Sequence, residues 1–298
     1  MSEGYEDDRS QSPFAAQLVR WVIGLIIALV GVGMYMFRTE VNPVTGEKQH
    51  IAMGVDEEKA LGLQAAPDMA AKMGGDIDPR DDPRAAFVSQ VGRKLVERSD
   101  ASRSPYVGNF HFHLLNDPKT INAFALPGGQ IFITRGLFDR LENEAELAGV
   151  LGHEIGHVIE RHTAQQMAAG QLGQILTVAV GVGASGQDDR GRKAQMAAAL
   201  ANQMFSLKYS RGDESQSDSI GLKYMVQAGY DPRAMLSVMK ILKAASSGDR
   251  QPEFLATHPL PETRLEAIQA QLDKDYPQGV PPDLTTGKKF PRSGSSGE

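Results

Sequence analysis

Residues 21–37, "WVIGLIIALVGVGMYMF", are 17 consecutive uncharged and mostly apolar residues, and they limit the fold more than any other stretch. As a helix they reach roughly 25 Å, near the thickness of a hydrocarbon core. Their apolar side chains cover every face, which fits poorly with a core helix that keeps one side wet. Leu18 and Val19 extend the run past Arg20, whose stem can snorkel to the interface. Trp21, Tyr35 and Phe37 sit near its ends, as an aromatic belt does. The rival reading is a cleaved signal peptide. Against it, the preceding tail is acidic (Glu3, Glu6, Asp7, Asp8) and Arg38-Thr39-Glu40 offers no small-x-small cleavage site. The expectation is an uncleaved transmembrane helix over 18–37. Arg9 and Arg20 before it balance Arg38 and Lys48 after it, so the positive-inside rule assigns no orientation.

With 298 residues, 41% of them hydrophobic, the chain has ample material for one large domain or two modest ones. It has no cysteine, which excludes disulfides, iron–sulfur clusters and thiolate zinc sites, so any metal must be held by His, Asp or Glu. The compartment stays open, since a cysteine-free chain suits oxidising and reducing surroundings alike. A net charge of -6 and the lack of a Lys/Arg cluster argue against a nucleic-acid partner.

Residues 1–17 read as a disordered polar tail, 38–55 as a linker, 56–275 as the folded domain, and the Pro-, Gly- and Ser-rich 276–298 as a second disordered tail. "DEEKALGLQAAPDMAAKMGG" predicts a helix with a Gly-Gly stop, and "DPRAAFVSQVGRKLVERSD" a helix capped by Asp82 with Pro83 at its first position. "FHFHLL" alternates, with Phe110, Phe112 and Leu114 on one face of a half-buried strand and His111 and His113 on the other. Those two histidines share a face and could chelate a metal, but polar residues on the wet side of a strand are the commoner case. "NAFALPGGQIFITRG" predicts a short extended piece, a Pro-Gly-Gly turn and a strand. Asn143 then predicts an N-cap, with Glu146 three residues on, for a helix running to about His162. "QLGQILTVAVGVGASG" is a second apolar run, short for a span, and reads as a buried or membrane-contacting helix. Further helices fit "RKAQMAAALANQMFSLKYS", "DESQSDSIGLKYMVQAG", "DPRAMLSVMKILKAAS" and "PETRLEAIQAQLDK". The fold class expected is α+β, mostly helical, with a small sheet near its start.

Within "VLGHEIGHVIERH", residues 150–162, His153 and His157 are four apart, so on a helix both imidazoles reach one ion. Glu154 completes H-E-x-x-H, in which the two His hold zinc and the Glu accepts a proton from water. His162, nine residues from His153, points away while the helix is continuous and reads as a surface or supporting residue. Gly152 and Gly156 leave a small-residue face where another element can approach. A catalytic zinc takes a third protein ligand. Glu160 lies on the face of His153 but roughly 10 Å along the axis, too far to converge. In "YSRGDESQSDSIG", Glu214 and Asp218 are again four apart, so one carboxylate can bind zinc while the other accepts a hydrogen bond from a ligand His. That spacing fits a solvated acidic helix start equally well.

These residues resemble the membrane-associated zinc metallopeptidases that include the CAAX prenyl protease, the heat-shock protease HtpX and the mitochondrial and periplasmic proteases related to them. "NPVTGEKQ" (42–49), "NAFALPGGQIFITRGL" (122–137), "ELAGVLGHEIGHVIERH" (146–162), "YSRGDESQSDSIG" (209–221) and "THPLPETR" (257–264) occur in the order of that family. The resemblance implies a zincin-like domain with a small antiparallel sheet. It implies one Zn2+ held by His153, His157 and Glu214, with Glu154 as general base and Asp218 orienting a ligand imidazole. Asn122, Ala123, Phe124 and Ala125 would form an edge strand on which a polypeptide substrate is laid. His258, which read alone is only part of a turn before a helix, is similar to a family histidine close to the metal, as oxyanion stabiliser or as a latch ligand. Arg264 reads as an anchor for its loop. With a single clear span, the chain fits the single-anchor branch, in the bacterial inner membrane with its catalytic domain on the periplasmic side. The implied activity is zinc-dependent endopeptidase action on extended, misfolded or misassembled proteins. A membrane-tethered chaperone with a closed zinc site, a hydrolase of a non-peptide bond and a metal-free binding protein are the alternatives.

Overall fold

The computed structural model describes residues 13–184, 208–246, 252–258 and 262–290. The helix expected over 192–210 falls almost wholly outside the described residues. The apolar run forms α1 (Pro13–Phe37), the one described helix long and apolar enough to cross a membrane. Where a linker was expected, β1 (Thr39–Val41) and β2 (Lys48–His50) make an antiparallel hairpin. Its turn is built locally: the Asn42 side-chain oxygen accepts from the backbone of Val44 and Thr45, and Gly46 takes a left-handed φ of 77°.

α2 (Val55–Lys72) and α3 (Pro83–Glu97) follow, the latter capped by Asp82, which accepts from Arg84 N as its sequence predicts. β3 (His111–Leu115), β4 (Ala123–Leu126) and β5 (Gln130–Thr134) form a sheet of order β3-β5-β4. This sheet is mixed, which corrects the expected antiparallel one. Pro127-Gly128-Gly129 turns β4 antiparallel onto β5, while β3, separated from β4 by a reversing loop, lies parallel on the other side of β5. β5 is buried throughout, and β4 is an edge.

Past α4 (Arg135–Phe138) comes α5 (Glu144–Ile159), buried from Ala145 to Ile159. The helix ends earlier than expected, because Arg161 adopts φ 57° and the chain restarts as α6 (His162–Ala184). α7 (Arg211–Gln227), α8 (Ala234–Ser246), α9 (Phe254–Thr257) and α10 (Glu262–Asp275) complete the domain. α5 packs against α3, α7, α8 and the sheet. The small face foreseen at Gly152 and Gly156 meets α7: a Cβ on Gly156 would stand 3.0 Å from Ser217 Cα.

The expected disorder from 276 onward is corrected as far as residue 290. Lys288 and Thr286 carbonyls accept from Glu144 N and Ala145 N at 2.9 and 3.0 Å, and Phe290 packs on Phe87 and Phe138. Pro, Gly and Ser set the composition of this tail, but one aromatic and a run of backbone carbonyls decide its placement.

Candidate metal centre

α5 presents His153 and His157 one turn apart, their Nε2 atoms 3.1 Å from each other. α7 crosses α5 at the Gly156–Ser217 contact, and this close approach carries Glu214 in, with its oxygens 3.4 Å from His157 Nε2 and 3.7 Å from His153 Nε2. His258, at the end of α9, adds Nδ1 at 3.0 Å from Glu214 and 3.4 Å from His153 Nε2. One donor atom from each of these four residues lies within 4.8 Å of all the others, and all four are buried.

The outer nitrogens of the two α5 histidines are already engaged. His153 Nδ1 lies 2.9 Å from Asp218 Oδ1, and His157 Nδ1 lies 2.8 Å from His162 Nδ1. The Asp218 carboxylate holds the His153 proton on Nδ1 and turns its Nε2 lone pair inward, and the same tautomer of His157 lets it donate to His162 and face its own Nε2 lone pair inward. Arg264 donates to both oxygens of Asp218 at 2.7 and 2.8 Å and to Glu214, so it does more than anchor its loop: it orients two carboxylates of the cluster. With all three carboxylates ionised and the imidazoles neutral, Glu154, Glu214 and Asp218 would set three negative charges against the single Arg264 guanidinium, a deficit that a divalent cation would cancel. Inward lone pairs and this charge deficit both fit a zinc-like ion on His153, His157 and Glu214.

Glu154 is fully buried, and among the described residues neither carboxylate oxygen has a hydrogen-bond partner. Burial pushes its carboxyl above the usual carboxylate range, toward a proton acceptor's working range. His258 Nε2, which also has no hydrogen-bond partner among the described residues, is 3.7 Å away. Burial likewise holds the His157 imidazole well below its ordinary value, so it stays neutral, as a ligand must be. For Glu214 burial works upward, but the imidazoles of His258 and His157 overcome it and hold the carboxyl far below the usual range.

Asn122, Phe124, Ala125 and His258 line a narrow cleft with Thr163, Tyr209 and Thr257. Among the described residues β4 pairs only with β5, so its outer edge faces this cleft. The side-chain oxygen of Asn122 is buried there without a hydrogen-bond partner among the described residues. A larger cavity of about 510 Å³, between Phe87, Phe138 and Phe290, contains none of these groups.

A family profile, Peptidase family M48, matches residues 83–272. The chain belongs to that family. Among curated relatives it is 31% identical over 247 residues to the beta-barrel assembly-enhancing protease of Yersinia pestis, covering 79% of this chain and 48% of that protein. It is 30% identical over 255 residues to the mitochondrial metalloendopeptidase OMA1 of Schizosaccharomyces pombe, covering 85% and 72%. Against the mitochondrial metalloendopeptidase OMA1 of Homo sapiens the identity is 27% over 272 residues, covering 88% and 51%. The chain spans about half the length of the bacterial relatives it matches. This member of the M48 peptidase family also has, near its N-terminus, a helix long and apolar enough to cross a membrane.

Other histidines fall elsewhere. His113 bonds Asp76 and Gln130, and His111 bonds the Asn109 carbonyl, so both serve the strand surface and stand outside the four-donor group. Glu160, rejected as a ligand on axial distance, instead accepts from Gln49 at 2.8 Å. Tyr209, which the motif reading left without a role, stacks on His157 with ring centroids 3.9 Å apart. Nothing in its local sequence pattern pointed there.

Proposed function

We propose that this M48 peptidase is a membrane-anchored zinc endopeptidase in which His153, His157 and Glu214 hold one Zn2+, Glu154 is the general base, and Asp218 orients His153. The reading rests above all on Glu154: a fully buried carboxylate with two unpartnered oxygens, beside a four-donor cluster, is costly unless it has a proton to take. Zinc bound there would supply Lewis-acid activation of the water and the scissile carbonyl. Glu154 takes the proton from water and returns it to the leaving amine. His258 Nε2, 3.7 Å from Glu154 and without a hydrogen-bond partner among the described residues, would donate to charge on the carbonyl oxygen when the ring is an imidazolium, its Nδ1–H being held by Glu214.

Asn122, Ala123, Phe124 and Ala125 bind substrate backbone along the outer edge of β4, with Asn122 Oδ1 accepting a substrate N–H. A chain laid on an edge must be extended, so misfolded or misassembled polypeptides are the substrates, in keeping with the name of the assembly-enhancing relative. Residues 18–37 anchor the protein in the bacterial inner membrane with the catalytic domain on the periplasmic side. Replacing Glu154→Gln is expected to leave zinc content unchanged by metal analysis and to reduce casein cleavage at least about 100-fold. Retained cleavage by that variant would falsify the mechanism.

The position of His258 among the four donors favours one other reading: a closed zinc site in a non-proteolytic chaperone. Under it the wild-type protein cleaves nothing. His258→Ala is expected to raise casein cleavage if His258 latches the metal and to lower it if it binds the oxyanion.

A further inference from the structure

Helix α6 carries no charged residue from Thr163 to its end at Ala184. The two halves of the helix have different surroundings. Ala164, Met167 and Ala168 are buried in the domain, whereas the second half leaves it and runs along α1. Both helices meet the domain at β2. Tyr35, near the end of α1, stacks on His50 at 4.7 Å, and Gln49 donates to the Glu160 carbonyl just before α6. The two helices therefore extend away from the same side, antiparallel.

Their contact is close. A Cβ on Gly31 would stand 2.5 Å from Ile175 Cγ2, so glycine is what lets the helices come this close while isoleucine faces it. Gly24 and Gly31 are the buried positions of α1 within its apolar run, and Ile27 and Ala28 between them are half-buried. Leu25, Leu29 and Met36 on its other faces are exposed. Small residues that let two backbones approach are how helices pair where lipid removes the hydrophobic driving force. On α6 the outward positions are Gly173, Leu176, Thr177 and Val180, one stripe at helical spacing. Its single hydroxyl is satisfied within the helix, Thr177 Oγ1 donating to the Gly173 carbonyl at 2.8 Å. A stripe with no charge and no unmet hydrogen bond suits hydrocarbon rather than water.

We infer that the second half of α6, from Gln171 to Ala184, is embedded in the same bilayer as α1, with its Leu176–Val180 face against lipid acyl chains. The inference rests on α1 being the membrane anchor. Gly31 lies six residues from the domain end of α1 and Ile175 nine residues from the end of α6, so α6 reaches about 20 Å into a hydrocarbon layer roughly 30 Å thick. Only Glu160 and Arg161 separate this helix from α5. A single helix would leave the domain free to rotate above the membrane. Two packed helices, one of them contiguous with the metal-binding helix, fix the height and facing of the cleft over the lipid surface.

The absence of cysteine makes the test direct. Single-cysteine variants of the full chain are placed in phospholipid nanodiscs and labelled with a membrane-impermeant maleimide, casein cleavage reporting that each is folded. Asp56→Cys, whose parent side chain is 99% exposed, is the aqueous reference. Leu176→Cys and Val180→Cys are expected to react at least about 20-fold more slowly than that reference and to match it in denaturing detergent, since only a hydrated, ionised thiol attacks. Gly31→Cys combined with Ile175→Cys is expected to cross-link on oxidation. The inference is overturned if Val180→Cys reacts at the reference rate while Leu29→Cys in α1 stays protected. Reaction of Leu29→Cys as well would instead remove the anchor reading, and the inference with it.

Discussion

His157 is held from outside by a chain of hydrogen bonds whose donors and acceptors all run one way when its Nε2 lone pair is turned inward. Its Nδ1–H donates to His162 Nδ1, His162 Nε2–H donates to Gln216 Oε1 at 2.9 Å, and Gln216 Nε2 donates to Glu47 Oε2 at 2.6 Å. A ligand imidazole backed this way is better oriented and more basic. His162→Ala and Gln216→Leu are each expected to weaken zinc affinity about tenfold or more, measured by chelator competition, with Glu47→Gln smaller because that link is exposed. Equal affinity in all three variants would mean that the chain of bonds has no effect on the metal. His153, Glu154 and His157 were legible because local helical spacing brings them together. His162 was not, since its placement depends on the left-handed Arg161, and no glycine marks that break. The conformation is held from afar: Arg161 donates to Glu58, Glu40 and the Met53 carbonyl, contacts across more than 100 residues.

At the scale of elements, α5 is the frame of the site and its C-terminal end is closed by the β1–β2 hairpin. Asn42 donates to the Ile159 carbonyl at 2.7 Å and Gln49 to the Glu160 carbonyl at 2.9 Å, two of the acceptors a helix end leaves free. The hairpin was read as a linker because a three-residue strand leaves no usable period, and its polar residues find their purpose only on α5. The same contact buries Glu160. Burial, and after it the nearby Glu47 carboxylate, push its carboxyl from 4.5 up to about 7. A carboxyl raised on folding contributes stability that is complete below about pH 4.5 and lost as pH rises through 7. Replacing Glu160→Gln keeps an acceptor for Gln49 and removes the titration. The stability of the variant relative to the parent is therefore expected to grow by about 1–2 kcal/mol between pH 5 and pH 8 in urea titrations. A difference constant across that range would refute the assignment.

Across the whole molecule, α5 is gripped at one end by the β1–β2 hairpin and at the other by residues 286–290. Its first four N–H groups are all satisfied: Glu144 and Ala145 by tail carbonyls of Lys288 and Thr286, Glu146 by the Asn143 side chain, Leu147 by the Asn143 carbonyl. Asn143 was readable as a cap from the sequence, whereas the other two partners come from a tail whose composition predicts disorder. The tail also ties in at Asp231, whose N–H donates to the Thr285 carbonyl, and ends with Phe290 donating its N–H to the Glu142 carbonyl. Deleting residues 284–298 would strand two buried helix donors and uncover Phe87 and Phe138. Each stranded donor costs about 1–3 kcal/mol less whatever water recovers, so a melting temperature lower by about 5–10 °C is expected in differential scanning calorimetry. The four donors and Arg264 lie elsewhere on α5, α7, α9 and α10, so zinc affinity well below the melting range should stay within about threefold. A deletion variant that melts like the parent would show that the tail is carried by the domain rather than closing it, and one that loses zinc at 25 °C would show that the N-terminal grip on α5 reaches as far as its histidines.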